Sequence, residues 1–343
     1  MELDRSAAIA GSLLAGAIGD CLGAATEFKS LNEILRVFGP AGLTDIHAPG
    51  RFTDDTQMTL FTAAGVITAL LDDEHPSAAQ WTAAFHAAYL EWLRTQEIRM
   101  PKDQQGGTWL LREKTLYRRE APGMTCLSAL RSGEAGTMKD RINDSKGCGG
   151  VMRAAPVGLL LADSHSREEI YEIGCLSAAV THGHDGGIYP SGALAVMVVD
   201  LMNGATVAES VKNLSGLVPK DLYERLSEAV AFAVSQPLAP IALCDELGQG
   251  WVGDEALAIA VACAVGGFDV EDALIIAINH DGDTDSTGAI CGNLLGAKLG
   301  ATAIPKRFLD KAPQTPLVVQ LANDCAQFLD GDRTPGFTAR YGR

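Results

Sequence analysis

Two short acidic clusters, about 230 residues apart, constrain this 343-residue chain more than any other feature. The first reads Arg51-Phe52-Thr53-Asp54-Asp55-Thr56-Gln57, and the second Asn279-His280-Asp281-Gly282-Asp283-Thr284-Asp285-Ser286-Thr287-Gly288. Each crowds carboxylates and hydroxyls into a few residues and runs directly into an apolar, helix-like stretch. Carboxylates packed this closely repel one another unless a cation neutralises them. An all-oxygen donor set favours hard cations such as Mg²⁺, Mn²⁺ or Ca²⁺. A fold that brings the two acidic elbows together around metal would satisfy both.

The plain reading of Thr53-Asp54-Asp55 is an N-cap and an acidic first turn, where each carboxylate contributes about 0.3–1 kcal/mol. The second cluster places Asp at 281, 283 and 285, like the start of a calcium loop. That loop needs Gly at its sixth position and Glu at its twelfth. Here those positions hold Ser286 and Gly292, so an EF-hand is excluded. Glycines at 288, 292, 296 and 300 follow at four-residue spacing, a small-residue face against which a second helix can pack closely.

Between the clusters, alanine, leucine and small residues dominate, β-branched alternation is rare, and the 3.6-residue period recurs. Helices are expected at 7–18, 54–70, 77–94, 106–118, 124–132, 151–161, 167–181, 187–202, 206–214, 220–235, 254–265, 270–278, 286–299 and 315–329. In the first of them Ala10, Leu14 and Ala17 form a small-residue face; in the third Trp81, Phe85, Leu90 and Trp92 supply bulk. The best strand candidate is Leu43–Ile46. The pattern predicts an all-α, compact multi-helix globule, one domain over residues 1–343. Pro- and Gly-bearing segments at 39–50, 98–107 and 133–150 read as long surface loops, which are often functional. The last ends in Gly147-Cys148-Gly149-Gly150 and enters a helix at Val151-Met152-Arg153, an arrangement that presents backbone N–H groups to an anion.

The chain is 47% hydrophobic with a formal net charge of −16. That balance argues against nucleic acid and anionic membrane surfaces as partners. No stretch reads as reaching the roughly 20 apolar residues of a membrane span, and the acidic start, Met1-Glu2-Leu3-Asp4, lacks a signal-peptide n-region. A cytoplasmic location is expected. The eight cysteines are scattered without a C-x-x-C pair, against disulfides or a zinc knuckle. His182, His184 and His280 read most simply as hydrogen-bonded structural residues, and Trp81 and Trp92 as core.

Taken in order, several motifs resemble the ADP-ribosylglycohydrolase family. They are Gly19-Asp20-Cys21-Leu22-Gly23 with Glu27, Phe52–Thr56, Gly147–Pro156, Thr181-His182, Gly282–Ser286 and Gly292–Ala297. The resemblance covers roughly residues 5–300. It implies an all-α fold with two Mg²⁺ ions, or Mn²⁺ in their place, in a central cleft. Thr53, Asp54 and Asp55 match the family's first ligand group, and Asp283, Asp285 and Ser286 the second, with Ser286 where many members carry threonine. Glu27 matches a glutamate implicated in catalysis, and Asp55 is expected closest to both ions. Gly147, Cys148, Gly149, Gly150, Val151, Met152 and Arg153 match a loop lining the ADP-ribose site. Cys148 stands where many members have asparagine, which removes a strong hydrogen-bonding group. His182 matches a histidine near substrate.

The implied activity is metal-dependent hydrolysis of the glycosidic bond between ADP-ribose and a protein side chain, with arginine the acceptor taken first by analogy. The implied partners are an ADP-ribosylated protein and the cognate ADP-ribosyltransferase. A binding protein that holds ADP-ribose or neutralises a transferase without turnover is the alternative from another class. A thiol hydrolase built on Cys148 and His182 would require the two side chains to meet.

Overall fold

Glycine decides the centre of this fold. The helices Arg5–Gly23 and Thr284–Leu299 lie antiparallel at backbone contact. Gly11 faces Gly296, Ala15 faces Gly292, Gly19 faces Gly288, and Gly23 faces Thr284. A Cβ added at Gly19 would lie 2.0 Å from the Gly288 carbonyl oxygen, and one at Gly292 2.1 Å from that of Ala15. No side chain fits there. Ser12 and Asn293 close the seam with polar contacts: Ser12 Oγ donates to the Asn293 carbonyl at 2.9 Å and Asn293 Nδ2 to the Ser12 carbonyl at 2.9 Å. The four-residue glycine spacing therefore packs closely against a second helix as expected, and its partner face is Gly11, Ala15, Gly19 and Gly23.

The computed structural model describes residues 3–97, 106–267 and 269–342, and among them there is no β-strand, only an isolated bridge between Gly147 and Val252. Around the central pair stand Asp54–Asp72, Ala78–Thr95, Ala155–Leu161, Arg167–Ala179, Asp185–Met202 and Gly253–Gly266. Their starts are chemically marked. Ser77 and Ser166 each close a capping box with the residue three positions on, as Thr206 does for the helix Val207–Asn213. Trp81, Phe85 and Trp92 are buried in one continuous core with Ile9, Leu13, Ile18 and Leu22, each contributing roughly 1.5–3 kcal/mol of apolar burial. Most helices read from the sequence appear within two residues of their expected ends.

Four expectations need correction. Arg5–Gly23 is long and apolar enough, by length and composition, to cross a membrane, contrary to the reading that no stretch approaches a span. Here it is a core helix, most of its length buried. The helix expected at 106–118 is two 3₁₀ turns, Trp109–Arg112 and Lys114–Leu116. Gly106 and Gly107 lie in the left-handed region and Glu91 takes both the N–H and the hydroxyl of Thr108, so the segment never enters a helical course. The expected 151–161 helix is split into a 3₁₀ turn, Val151–Arg153, and the helix Ala155–Leu161, because Pro156 suits only the first turn of a new helix. Leu43–Ile46 is not a strand: its backbone pairs with the Asn279 side chain, which accepts from Leu43 N at 2.7 Å and donates to the Leu43 carbonyl at 2.9 Å. Of the loop read at 98–107, residues 98–105 lie outside the described residues.

Candidate active site

Close contact between the two glycine-faced helices sets the end of one beside the start of the other. Asp20, in the last turn of Arg5–Gly23, thereby reaches the start of the Asp54–Asp72 helix. Its carboxylate accepts from Thr53 N at 2.8 Å, Thr56 N at 3.0 Å and Thr56 Oγ1 at 2.5 Å. Thr53 is the N-cap, its hydroxyl accepting from Asp55 N at 3.3 Å. Asp283 caps the second helix in the same way, accepting from Ser286 N at 3.2 Å. Both acidic clusters thus sit at helix N-termini, where the dipole favours negative charge.

The two clusters meet. Glu27, Asp54, Asp55, Asp283, Asp285 and Ser286 share the wall of one cavity of about 310 Å³ with Gly147, Cys148, Gly149, Met152 and His182. Thr53 is buried behind the wall, its hydroxyl 3.4 Å from Asp55 Oδ2. Asp281 turns away, accepting a hydrogen bond from Leu31 N. Thr284 ties the elbow to the first helix through the Gly23 carbonyl at 2.9 Å.

Glycine also shapes the opposite wall. The 133–150 loop is anchored by Asn143, which donates to the Thr181 carbonyl at 2.8 Å and accepts from Ser145 N and Gly183 N. It then drapes over the His182 ring, where a Cβ at Gly149 would come within 3.1 Å of both Cε1 and the Cys126 sulfur. Three residues assigned to this wall do not reach it. Gly150 packs beneath it on Gly187 and Ala178, and Val151 is wholly buried in the core. Arg153 is fully buried, donating to the Ser177 carbonyl and Thr181 Oγ1, with its guanidinium 4.0 Å from the Tyr89 ring centre. A buried guanidinium must place its N–H groups on protein acceptors, so Arg153 braces the loop from below. The Gly147 N–H donates to Ser145 Oγ and that of Cys148 to the Trp251 carbonyl, so those two amides are already engaged.

Electrostatics in the cavity run one way. None of the ion pairs among the described residues includes Asp20, Glu27, Asp54, Asp55, Asp283 or Asp285. Burial, then repulsion from Asp285, raises the Asp20 carboxyl to about 7. The same two causes, with Asp283 added, push Glu27 to about 11. Burial is the leading cause for Asp54, Asp55 and Asp283 as well, all held well above the usual carboxylate range. His182 is pressed down to about 3 by burial and the nearby Arg153, so its imidazole is neutral. Cys148 donates its thiol proton to Asp283 Oδ2 at 2.8 Å and not to His182, and burial raises its pKa further. No thiolate–imidazole dyad is formed. His184 caps the Asp185–Met202 helix, and His280 is satisfied by Thr287 and the Asp281 carbonyl.

The donor set suits a hard divalent cation: carboxylates and hydroxyls, with no neutralising side chain. Asp55 Oδ1 is buried without a hydrogen-bond partner, an atom that needs a proton or a cation. Among the described residues no three His, Cys, Asp or Glu side chains stand arranged around one point ready to grip a metal. The acidic side chains are gathered but not closed around a point.

Several residues of this site escaped the sequence reading, Asp20, Phe28, Met124 and Trp251 among them. Asp20 lies within a quoted motif but was given no role; a buried acid in an apolar helix is its signal. Phe28 and Trp251 line the cavity, and nothing local in the sequence marks either.

Comparison with known proteins identifies the family. The profile of the ADP-ribosylglycohydrolase family matches residues 1–335. An uncharacterised protein of Archaeoglobus fulgidus is 29% identical over 321 residues, covering 90% of this chain and 93% of that protein. The ADP-ribosylarginine hydrolase Tri1 of Pseudomonas putida is 26% identical over 332 residues, covering 94% and 78%. The ADP-ribosyl-[dinitrogen reductase] glycohydrolase of Rhodospirillum rubrum is 25% identical over 321 residues, covering 88% of each chain. A solved structure of an ADP-ribosylglycohydrolase-related protein complex shares the fold, with a TM-score of 0.65 at 23% identity over 93% of this chain and 96% of its own.

Proposed function

Since the chain belongs to the ADP-ribosylglycohydrolase family and is a glycosidic hydrolase acting on ADP-ribosylated protein, we propose that its acceptor is arginine and its cofactor two Mg²⁺ ions. The observation that carries this reading is the single cavity in which both acidic helix starts meet the glycine loop. The ions would be held by Asp54, Asp55, Asp283 and Asp285 with the hydroxyls of Thr53 and Ser286. When bound they supply a polarised water and a grip on ribose hydroxyls.

The chain's own residues do the rest. The bond at the anomeric carbon breaks through an oxocarbenium-like transition state, which the carboxylate-lined wall favours electrostatically. Glu27 is the acid–base group. Burial and the neighbouring carboxylates Asp285 and Asp283 favour its protonated form, which suits a group that hands a proton to the departing nitrogen and then takes one from water. Gly147 and Gly149 keep the opposite wall bare, so that a phosphate-bearing ligand can approach backbone, while neutral His182 holds the loop at its level. The ADP-ribosyltransferase that writes the mark is the functional partner.

Incubation with arginine-, serine- and aspartate-linked ADP-ribose, with and without Mg²⁺, tests this. Fastest release from the arginine linkage, and release only with metal, is expected. Tight ADP-ribose binding with no release from any linkage would refute it.

A further inference from the structure

The cavity has an apolar rim that the acid chemistry does not use. Among the most exposed large apolar side chains of the described residues, Phe28, Met124 and Trp251 all border it. Phe28 is 72% exposed and Trp251 37%. Their rings are stacked, centroids 5.4 Å apart and planes 22° from parallel. Leaving two aromatic faces in water forgoes the burial that usually places such residues inside.

Both residues are positioned, not incidental. Phe28 has φ +60, a left-handed conformation that non-glycine residues rarely adopt and that tends to mark functional sites. It immediately follows Glu27. Trp251 comes from the far side of the cavity, on the turn made by Gly250 at φ +81. Its carbonyl accepts from Cys148 N, and the next residue, Val252, bridges to Gly147. The glycine loop and the tryptophan are therefore one tied unit.

The rim adjoins acidic side chains. Its neighbours are Glu27, Asp54 and Asp283, and the described residues lining the cavity include no lysine or arginine. An aromatic face is itself electron-rich and attracts cations, most strongly those that are flat enough to stack.

We propose that Phe28 and Trp251 form the acceptor platform of this enzyme, stacking the planar guanidinium of an ADP-ribosylated arginine at the cavity rim and so setting its preference for arginine over serine linkages. This rests on the hydrolase reading above. A serine acceptor offers neither charge nor a flat surface and gains nothing from the rings.

The test compares Phe28→Ala, Trp251→Leu and Trp251→Phe with the parent protein. KM for arginine-linked ADP-ribose should rise about three- to thirty-fold in the first two, the range of a cation–π contact. Trp251→Phe keeps a ring face and should stay within about twofold of the parent, as should kcat in all three and the serine-linked reaction. Trp81, Trp92 and Trp109 are buried, so the long-wavelength emission reports Trp251. Agmatine added to the protein with ADP-ribose should quench that emission, and serine amide should not.

Unchanged KM for the arginine linkage in Trp251→Leu, with the parent active, overturns the platform while leaving the hydrolase reading intact. Equal losses on both linkages, or weakened binding of ADP-ribose alone, also overturn it, the latter placing adenine on the rings. If the parent cleaves no linkage, the hydrolase reading fails, and agmatine quenching alone decides the platform.

Discussion

Replacing Gly19 with alanine should unseat the centre of the molecule. The added Cβ would stand 2.0 Å from the Gly288 carbonyl oxygen, about 1.4 Å short of the 3.4 Å at which ordinary contact begins. The obstacle is helix backbone on both sides, so no side chain can swing away. The helices must separate or shift along each other. Overpacking of this kind costs roughly 1–3 kcal/mol, and the full-backbone clash places it at the upper end. Alanine's better helix propensity returns about 1 kcal/mol, leaving a net loss of about 2 kcal/mol. Separation also moves Asp20 from Thr53 and Thr56, so turnover should fall with stability. Gly336→Ala is the control: it lies in the helix Pro335–Arg340 with nothing within 4 Å of an added Cβ. It should be neutral or stabilising by up to about 1 kcal/mol. Urea unfolding followed by far-UV circular dichroism measures both variants, with release of ADP-ribose measured in parallel. A Gly19→Ala protein as stable as Gly336→Ala would refute the claim that backbone contact sets the pairing of these helices.

The other predictions concern the cavity. Asp55→Ala should reduce ADP-ribose release at least about 100-fold in a single-turnover assay, since it removes the carboxylate proposed to hold the ions. Glu27→Gln should slow turnover while leaving Mg²⁺ binding by calorimetry largely intact, because an amide keeps the shape and an oxygen but cannot cycle a proton. Cys148→Ser should remain active and chelation by EDTA should abolish activity; the reverse pair of results would return the reaction to the thiol. Finally, stability should depend on pH in an unusual direction. Asp20 is raised to about 7 from 3.8 and Glu27 to about 11 from 4.5, so the folded chain binds these protons more tightly than the unfolded one. Their contribution is full at low pH, falls as pH climbs from about 4 through 7, and continues to fall toward 11. Chelator-treated protein should therefore melt higher at about pH 5 than at about pH 8, and Mg²⁺ should raise the melting temperature more at the higher pH.

What the sequence by itself determined is local. Thr53, Asp54 and Asp283 announce helix starts because capping involves only neighbours in the chain, and the helix periods of Asp54–Asp72 or Ala78–Thr95 follow from side-chain spacing alone. Even the glycine stripe at 288, 292 and 296 declares a close contact. It cannot say with what, since a missing side chain carries no mark of its partner. Tertiary structure chose Gly11, Ala15 and Gly19, and that choice delivered Asp20 to Thr53 and Thr56. It turned Asp281 outward while Asp283 and Asp285 face the cavity, although all three share one spacing. It buried Arg153 under Tyr89, behind a loop whose sequence suggested ligand contact. It set Phe28 against Trp251, two rings far apart in sequence. In each case the deciding quantity is a distance or a burial between segments remote in sequence. Nothing in local propensity encodes it, because desolvation and charge repulsion arise only after the helices have packed.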